Sequence, residues 1–238
     1  MSIGDRGSYS KGIARRKQIL QAALTIVAVD GFDQTTLSKI SKAVGITDVG
    51  VLHYFDSMDD LMIEVLRQRD IDAVMESSAS VLDLDSQMSR FGRDPAWSLR
   101  YLIEVMDRNS RTPGLIELFA HMAVKASDPK SPAYRYFKHR GTVERKLFGH
   151  VLRNLIKDEH LQTKMSPDEL SRVMQALLGG LQVQWLIDRN LDMPAVAEKS
   201  INALLGRSTL NKTIRVPTRT RKPRSADPES GDIQLAHQ

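Results

Sequence analysis

The chain has 238 residues, of which 41% are hydrophobic, and a formal net charge of +5. This length allows one large domain or two small ones with a packed core. Because the chain has no cysteine, disulfides and thiolate metal sites are excluded, and a reducing compartment, the cytoplasm, is expected. No apolar run reaches the roughly 18 residues of a membrane span, so no membrane association is expected.

The positive charge is concentrated at the C-terminal end. Residues 207–226 hold seven basic side chains and no acidic ones, whereas residues 1–60 hold seven of each sign. The low apolar content predicts a disordered basic tail over 207–238. Such a tail either contacts DNA phosphates or serves as a solubilising end. The net charge alone is therefore no argument for nucleic-acid binding.

Helical periodicity recurs along most of the chain, strand signals are weak, and no repeat is visible, so we predict an all-α fold of about nine helices. The predicted helices cover 13–30, 36–43, 47–54, a stretch from 57, 95–109, 113–127, 132–158, 167–189 and 193–205. A Ser- and Asp-rich loose joint is predicted at 77–93. We predict three parts: a three-helix DNA-binding domain at 1–56 with a flexible arm at 1–11, a helical regulatory and dimerisation domain at 57–206, and the tail.

The second and third predicted helices form a helix-turn-helix pattern around Gly45-Ile46. A short turn fixes two helices at a steep angle, so that the second can enter the major groove of DNA. Val51 and Phe55 would anchor the second helix, and Gly50 would allow close approach to DNA. The predicted DNA contacts are Thr35, Thr36, Lys39, Thr47, Asp48, Val49, Gly50, His53 and Tyr54, with Lys11, Arg15 and Arg16 on the phosphates. An ordinary helical hairpin with polar surface residues is the alternative.

The segment "ILQAALTIVAVDGFDQTTLSKISKAVGITDVGVLHYFDSMDDLMIEVL", residues 19–66, resembles the DNA-binding region of the tetracycline-repressor (TetR) family. The matching marks are Gly31-Phe32, Thr35-Thr36, Ile40, Gly45-Ile46, Phe55, Ser57 and Leu61. Segments near residues 115–137 and 177–193 resemble one actinobacterial-type branch of that family. The resemblance implies a homodimeric transcriptional regulator, usually a repressor, which a small molecule releases from a palindromic DNA operator.

Two positions depart from the family pattern. Leu52 stands where tyrosine is common, and Met58 stands where lysine is common. Both family residues usually reach phosphates, so their loss removes backbone contacts and, at Met58, one released counterion. A helix-turn-helix protein that acts through protein partners with weakened DNA binding therefore stays open as an alternative, as does a transcriptional activator of the same fold.

The helical body offers candidates for an effector pocket and a dimer interface. Large apolar groups with two polar ones could line the pocket, although each could equally fill the core or lie at the surface: Trp97, Met106, Phe119, His121, Met122, Phe148, Gln182 and Trp185. The resemblance puts the dimer interface on the last two helices, at Leu177, Leu181, Gln184, Val196, Ile201 and Leu204. An unidentified small-molecule effector is expected, and no other cofactor.

No catalytic or metal-binding arrangement is recognisable in the sequence. His139 and His150 are three helical turns apart, too far to share one metal ion. The charged run at 138–146 has the pattern of a solvated helix face. A helical small-molecule carrier or an enzyme is the remaining alternative, and the absence of a catalytic constellation argues against it.

Overall fold

The computed structural model describes residues 3–76, 93–157 and 163–206, with side chains over 11–72, 93–157 and 163–206. Within these ranges the chain forms nine α-helices and no strand, so the all-α prediction is confirmed. They are α1 (Ile3–Asp30), α2 (Leu37–Val44), α3 (Asp48–Leu52), α4 (Met58–Glu76), α5 (Pro95–Asn109), α6 (Pro113–Lys125), α7 (Pro132–Lys157), α8 (Pro167–Ile187) and α9 (Met193–Leu204). Residues 77–92 of the predicted joint, and the whole predicted tail, lie outside the described residues.

Proline marks the start of four helices of the body: α5, α6, α7 and α8 each begin with it. Proline suits this position because its ring presets φ and its missing N–H would have no helical partner there. Ser166 and Glu169 add a capping box at the start of α8. These signals explain why the predicted starts of these helices agree with the structure.

Helix α1 is the main departure from the predicted boundaries. It begins at Ile3 rather than near residue 13, so it includes most of the stretch predicted as a flexible arm. Gly4, Gly7 and Gly12 lower the intrinsic helix propensity of this stretch and hid the helix from the periodicity argument. Helix α3 is also shorter than predicted, because it ends at Leu52.

The hydrophobic side chains form two cores. The N-terminal core joins α1, α2, α3 and α4 to buried residues of α6 and the first turns of α7. The body core joins α5 and the later part of α7 to α8 and α9, with one residue of α6. The N-terminal core therefore extends across the predicted domain boundary at residue 56, and the helix-turn-helix unit is buried partly against the body.

Helix α6, like α7, contributes buried residues to both cores. Its Leu115, Leu118 and Met122 are buried in the N-terminal core, whereas Ile116 is buried in the body core. A helix with different faces in two cores transmits a displacement of one core to the other, because packed interiors have little free volume.

The closest contact between α6 and the helix-turn-helix unit is made at Gly114. A Cβ atom added to Gly114 would lie 2.0 Å from the carbonyl oxygen of Val27 and 2.8 Å from the Cα of Gly31. Gly31 itself ends α1 with a φ of +89°, in the left-handed region that favours glycine. The two helices therefore meet backbone to backbone, and a side chain larger than hydrogen at residue 114 has no room.

We predict that Gly114→Ala lowers the free energy of unfolding by about 1–3 kcal/mol, because the added methyl group must push backbone atoms apart. Urea unfolding followed by circular dichroism measures this change. Gly12→Ala is the matched control, since a Cβ on Gly12 meets nothing within 4 Å. In that open helical position alanine should stabilise the protein by roughly 0.5–1 kcal/mol. Equal effects of the two substitutions would contradict the contact.

Candidate nucleic-acid interface and effector site

The α2–turn–α3 unit is fixed by local hydrogen bonds. The Thr36 hydroxyl caps α2 by accepting from the Lys39 backbone N–H at 3.2 Å. Gly45 ends α2 with a φ of +70°, and the Thr47 hydroxyl caps α3 by accepting from the Gly50 N–H at 3.0 Å. The buried side chains of Ile40 and Val51 seat both helices on the N-terminal core. This is the geometry of a helix-turn-helix.

The outward face of α3 combines apolar and polar groups. Val49 is 78% exposed and Leu52 is 43% exposed, and His53 beside them is also exposed. The half-buried Tyr54 packs its ring edge-on against His53, with 5.6 Å between the ring centroids. Exposed apolar groups on a short helix can contact thymine methyl groups, whereas imidazole and hydroxyl groups can bond base edges or phosphates. The sequence analysis did not include Leu52 among the predicted DNA contacts. The signal that could have found it is its place in the family pattern, where a tyrosine that reaches phosphate is common.

Three of the predicted DNA contacts have a structural role. Thr35 is buried and donates its hydroxyl to the Gly31 carbonyl at 2.8 Å, and so it does not face outward. Arg15 donates to the Val44 carbonyl at 3.1 Å, at the C-terminal end of α2. Arg16 lies over the Phe55 ring at 4.5 Å, with a carboxylate partner on α4. Sequence spacing did not reveal these partners. As DNA contacts, the three residues stay predictions.

Other predicted contacts remain on the surface of the unit. Thr36, Lys39, Thr47 and Asp48 are exposed, and Gly50 is half-buried. Asp48 accepts a hydrogen bond from the buried Ser41 hydroxyl and so ties α3 to α2. These residues stay predictions as DNA contacts.

The exposed cations of this region are lysines. Lys11, Lys17 and Lys42 are exposed, and no carboxylate of the described side chains lies within ion-pair distance of them. Lys39 pairs with Asp30 at 3.3 Å, but both side chains are more than 40% exposed. An exposed pair of this kind is weak and can exchange its partner for a phosphate. These lysines are therefore candidates for phosphate contacts.

The start of α4 contains the second departure from the family pattern. Met58 is half-buried against the N-terminal core. Its neighbour Asp59 accepts from the ammonium group of Lys125, on α6, at 2.7 Å. The negative charge of Asp59, seven residues after the end of α3, is thus paired with a positive charge within the protein.

An ion cluster joins α4 to α7. Asp70 accepts from the Arg69 guanidinium at 2.9 Å, from Arg140 at 3.0 Å and from the Tyr136 hydroxyl at 2.6 Å. Both guanidinium groups lie over the Phe119 ring of α6, at 5.1 and 4.9 Å. Burial by itself would raise the pKa of Asp70, but the two guanidinium groups and the Tyr136 hydroxyl lower it overall. Burial and the nearby Asp70 charge raise the pKa of Tyr136.

The predicted pocket residues do not line one cavity. Phe119 and Met122 belong to the N-terminal core, whereas Met106, Phe148 and Trp185 are buried in the body core with Trp97 packed against it. His121 is exposed and contacts Phe32 across the joint between α6 and the helix-turn-helix unit, with 4.8 Å between the ring centroids. His121, Phe119 and Met122 therefore lie at the interdomain contact, and their assignment to a body pocket was wrong.

The described part of the body core contains a small cavity. An internal cavity lined by apolar side chains that include Phe148 holds only about 10 Å³. Gln182, the predicted polar group, accepts from the Asn109 amide at 2.9 Å and is half-buried. The buried indole N–H of Trp185 and the buried side-chain oxygen of Asn202 have no hydrogen-bond partner among the described residues. Such unpaired polar atoms are rare in protein interiors and mark a place where a ligand or water could bond.

The predicted dimer-interface residues divide between the core and the surface. Leu181 and Ile201 are buried within the chain, at 5% and 2% exposure, so they cannot serve as interface side chains and that prediction was wrong. Leu177, Val196 and Leu204 are half-buried, and Gln184 is exposed. The seam of α8 consists instead of the exposed Val173, Ala176, Val183 and Ile187 with the half-buried Gly180 between them. These residues are alternately three and four positions apart, which is a heptad pattern. The pattern is present in the sequence, but the more apolar buried stripe of the same helix made it hard to recognise.

Among the described residues no group of side chains could hold a metal ion, and no helix is long and apolar enough to cross a membrane. The geometry defines a helical helix-turn-helix protein: a capped helix-turn-helix unit with an exposed second helix, joined to a helical body.

Comparison with known proteins identifies the family. Residues 19–65 match the model of the bacterial regulatory proteins of the tetR family. The chain is 25% identical over 214 residues to the HTH-type transcriptional regulator AcrR of Shigella flexneri, covering 85% of this chain and 93% of AcrR. It is 40% identical over 68 residues to RutR of Escherichia coli, covering 28% of this chain and 32% of RutR. Residues 19–65 thus match the tetR-family region, and both relatives are HTH-type transcriptional regulators.

Solved structures share the fold. FadR of Thermus thermophilus, a TetR-family repressor in complex with lauroyl-CoA, superimposes with a TM-score of 0.57 at 20% identity, covering 80% of this chain and 93% of FadR. NalD, the secondary repressor of an efflux pump in Pseudomonas aeruginosa, has a TM-score of 0.56 at 22% identity, covering 82% of this chain and 95% of NalD. The narrower resemblance to an actinobacterial-type branch stays a prediction.

We predict that the ion cluster around Asp70 makes the protein sensitive to acid. The folded pKa of Asp70 lies below its ordinary value of 3.8, so its stabilisation is present above that pH and is lost as the pH falls through the folded value. At pH 7, Asp70→Asn should lower the free energy of unfolding by about 1–3 kcal/mol. The gap between wild type and variant should close towards pH 3 in urea titrations. Asp107→Asn, at an exposed pair, is the control; a gap independent of pH would contradict the assignment.

We predict that Met58→Lys tightens DNA binding. The lysine stem can follow the half-buried path of Met58 while its ammonium group extends into solvent. One additional phosphate contact should steepen the salt dependence, log Kd against log salt, by about 0.9. Met58→Gln, of similar length but uncharged, is the control. Fluorescence anisotropy with labelled DNA checks both variants, and an unchanged salt slope in the lysine variant would refute the prediction.

Proposed function

We propose that this regulator is a homodimeric repressor that binds a palindromic DNA operator and is released from it by a small molecule. The observation that carries the proposal is the α2–turn–α3 unit, capped and outward-facing, and fixed to the body through the contact at Gly114. Such a unit can bind DNA and can also be moved by the body.

In the proposed complex α3 lies in the major groove. Val49 and Leu52 contact thymine methyl groups, and Thr47 and His53 bond base edges or the backbone. The lysines of α1 and α2 lie against phosphates and release counterions. Val49 and Leu52 are both exposed to water in the single chain. This exposure supports the arrangement, because contact with thymine methyl groups would remove the two apolar side chains from water.

In the proposed dimer the exposed seam of α8 packs against a second copy. No atom lies within 4 Å of a Cβ added to Gly179 or Gly180, so a partner helix can approach closely there. The exposed valines and isoleucine on either side would be removed from water. Two helix-turn-helix units held in this way match two half-sites of a palindromic operator.

The proposed effector binds in the body core beside Trp185. Pockets for small molecules usually measure about 300–1,000 Å³, whereas the cavity in the described core holds about 10 Å³. The described lining of this cavity comes from α5, α7 and α8, so an effector that entered the core here would part these helices and would favour an expanded body. The unpaired N–H of Trp185 supplies a donor for the ligand.

A chain of contacts connects this region to the helix-turn-helix unit. The Arg189 guanidinium lies 4.1 Å from the centre of the Trp185 ring and donates to the Glu117 carboxylate of α6 at 3.2 Å. Glu117 in turn lies beside Gly31, where a Cβ would be 3.5 Å from its Oε2. A ligand that displaces Trp185 would thus move α6 against the end of α1, and the half-site spacing would change.

The experiment that tests the function is fluorescence anisotropy with DNA from upstream of the protein's own gene, beside scrambled DNA, over a series of salt concentrations. Specific binding that weakens as salt rises supports the proposal. Equal binding to both DNAs would overturn the operator-binding part and favour the alternative of action through protein partners. A reporter assay separates repression from activation, the second candidate. A cytoplasmic location follows from the proposal.

We predict that Val183→Asp separates the dimer. The residue is 47% exposed in the single chain, so the substitution should leave the fold intact while placing a carboxylate in the seam. Analytical ultracentrifugation should show a monomer, and DNA affinity should fall at least tenfold, because one half-site contributes alone. Val124→Asp on α6, at a residue 75% exposed, is the matched control and should stay dimeric. A dimer of unchanged affinity in the Val183 variant would refute the seam.

A further inference from the structure

A cleft of about 300 Å³ lies between the later part of α7 and the first turns of α8. Its described lining is dominated by basic side chains: Arg145, Lys146 and Arg153 from α7, and Arg172 from α8. Thr142, Gly149 and one carboxylate, Asp168, complete this lining. Four cations against one anion give these residues a net charge of +3. This cleft is separate from the body core, in which the proposed effector binds.

Two glycines allow the guanidinium groups to lie along α7. A Cβ on Gly141 would be 3.3 Å from Nη1 of Arg145, and a Cβ on Gly149 would be 3.3 Å from Nη1 of Arg153. Both arginines therefore fold back over a glycine four residues earlier. This spacing puts the two guanidinium groups about two helical turns apart, one towards each end of the cleft.

Asp168 holds two of the arginines in place without neutralising the cleft. Its carboxylate lies 2.9 Å from Nε of Arg172 and 3.9 Å from Nε of Arg145. Arg145 also donates from Nη2 to the Thr142 hydroxyl at 3.3 Å. The other N–H groups of these arginines stay available to an anion. Among the described carboxylates none lies within ion-pair distance of Lys146 or Arg153.

We propose that this cleft binds a small ligand bearing two or more phosphate groups. Guanidinium groups bond phosphate oxygens through paired N–H donors, and several fixed cations favour a multiply charged anion over a single phosphate. The separation of Arg145 from Arg153 favours a ligand whose charges extend along the cleft. Operator DNA is not the proposed occupant, because the described lining of the cleft comes from α7 and α8, and neither helix belongs to the helix-turn-helix unit of α2 and α3.

The test is isothermal titration calorimetry of the full-length protein with inorganic triphosphate, pyrophosphate and phosphate. Affinity should increase in the order phosphate, pyrophosphate, triphosphate and should weaken as salt rises. Absence of binding by triphosphate, or equal affinity for the three anions, would overturn the proposal. A duplex DNA added at saturation should leave the triphosphate affinity unchanged; displacement of triphosphate would identify nucleic acid as the occupant and overturn it too.

Paired substitutions locate the site. Arg172→Gln should weaken triphosphate binding by about tenfold, and Asp168→Asn should tighten it severalfold, because they change the cleft charge in opposite directions. The matched controls are Arg111→Gln and Asp107→Asn, which alter another exposed Arg–Asp pair four residues apart. The controls should stay within twofold of the wild type. Equal effects of Arg172→Gln and Arg111→Gln would place the anion elsewhere and overturn the proposal.

Discussion

The backbone contact between Gly114 and the end of α1 is the constraint on which the arrangement of the protein depends. Because a Cβ at residue 114 would lie 2.0 Å from the Val27 carbonyl oxygen, α6 and α1 touch without intervening side chains. Side chains can adjust to a small displacement by changing rotamer, whereas two touching backbones cannot. The orientation of the helix-turn-helix unit is therefore tied to the position of α6.

The division of the hydrophobic residues into two cores gives this contact its significance. Leu115 and Leu118 are buried with the DNA-binding helices, whereas Ile116 is buried with the body. The ion cluster of Asp70 provides a second attachment, since it joins α4 to α7. With two attachments the DNA-binding unit cannot swing about a single loop, and an expanded body must shift α6 and α4 together. This is the mechanical requirement for a ligand in the body to alter half-site spacing.

The sequence was sufficient to predict the fold because its helix starts are marked by prolines and caps and its helix-turn-helix by Gly45 and Thr47. It was insufficient for side chains with several possible partners. Arg15 and Arg16 looked like phosphate contacts, but nearby groups of the fold bind them. Apolar residues raised a similar difficulty: Leu181 and Val183 are two positions apart on α8, yet one is buried and the other exposed. Only the packing of neighbouring helices decides between them.

The charges of the DNA-binding region are partly paired within the protein. Residues 1–60 are neutral overall, but Arg15 donates to the Val44 carbonyl, Arg16 lies over the Phe55 ring, and Asp59 is paired with Lys125. In the proposed complex the exposed lysines lie against the phosphates. Contacts between lysines and phosphates do not depend on the DNA sequence and are screened by salt. In the proposed complex the side chains on the short outward face of α3 therefore distinguish one DNA sequence from another. The exposed Val49 and Leu52 on that face are suited to this role, since contacts with thymine methyl groups require no net charge.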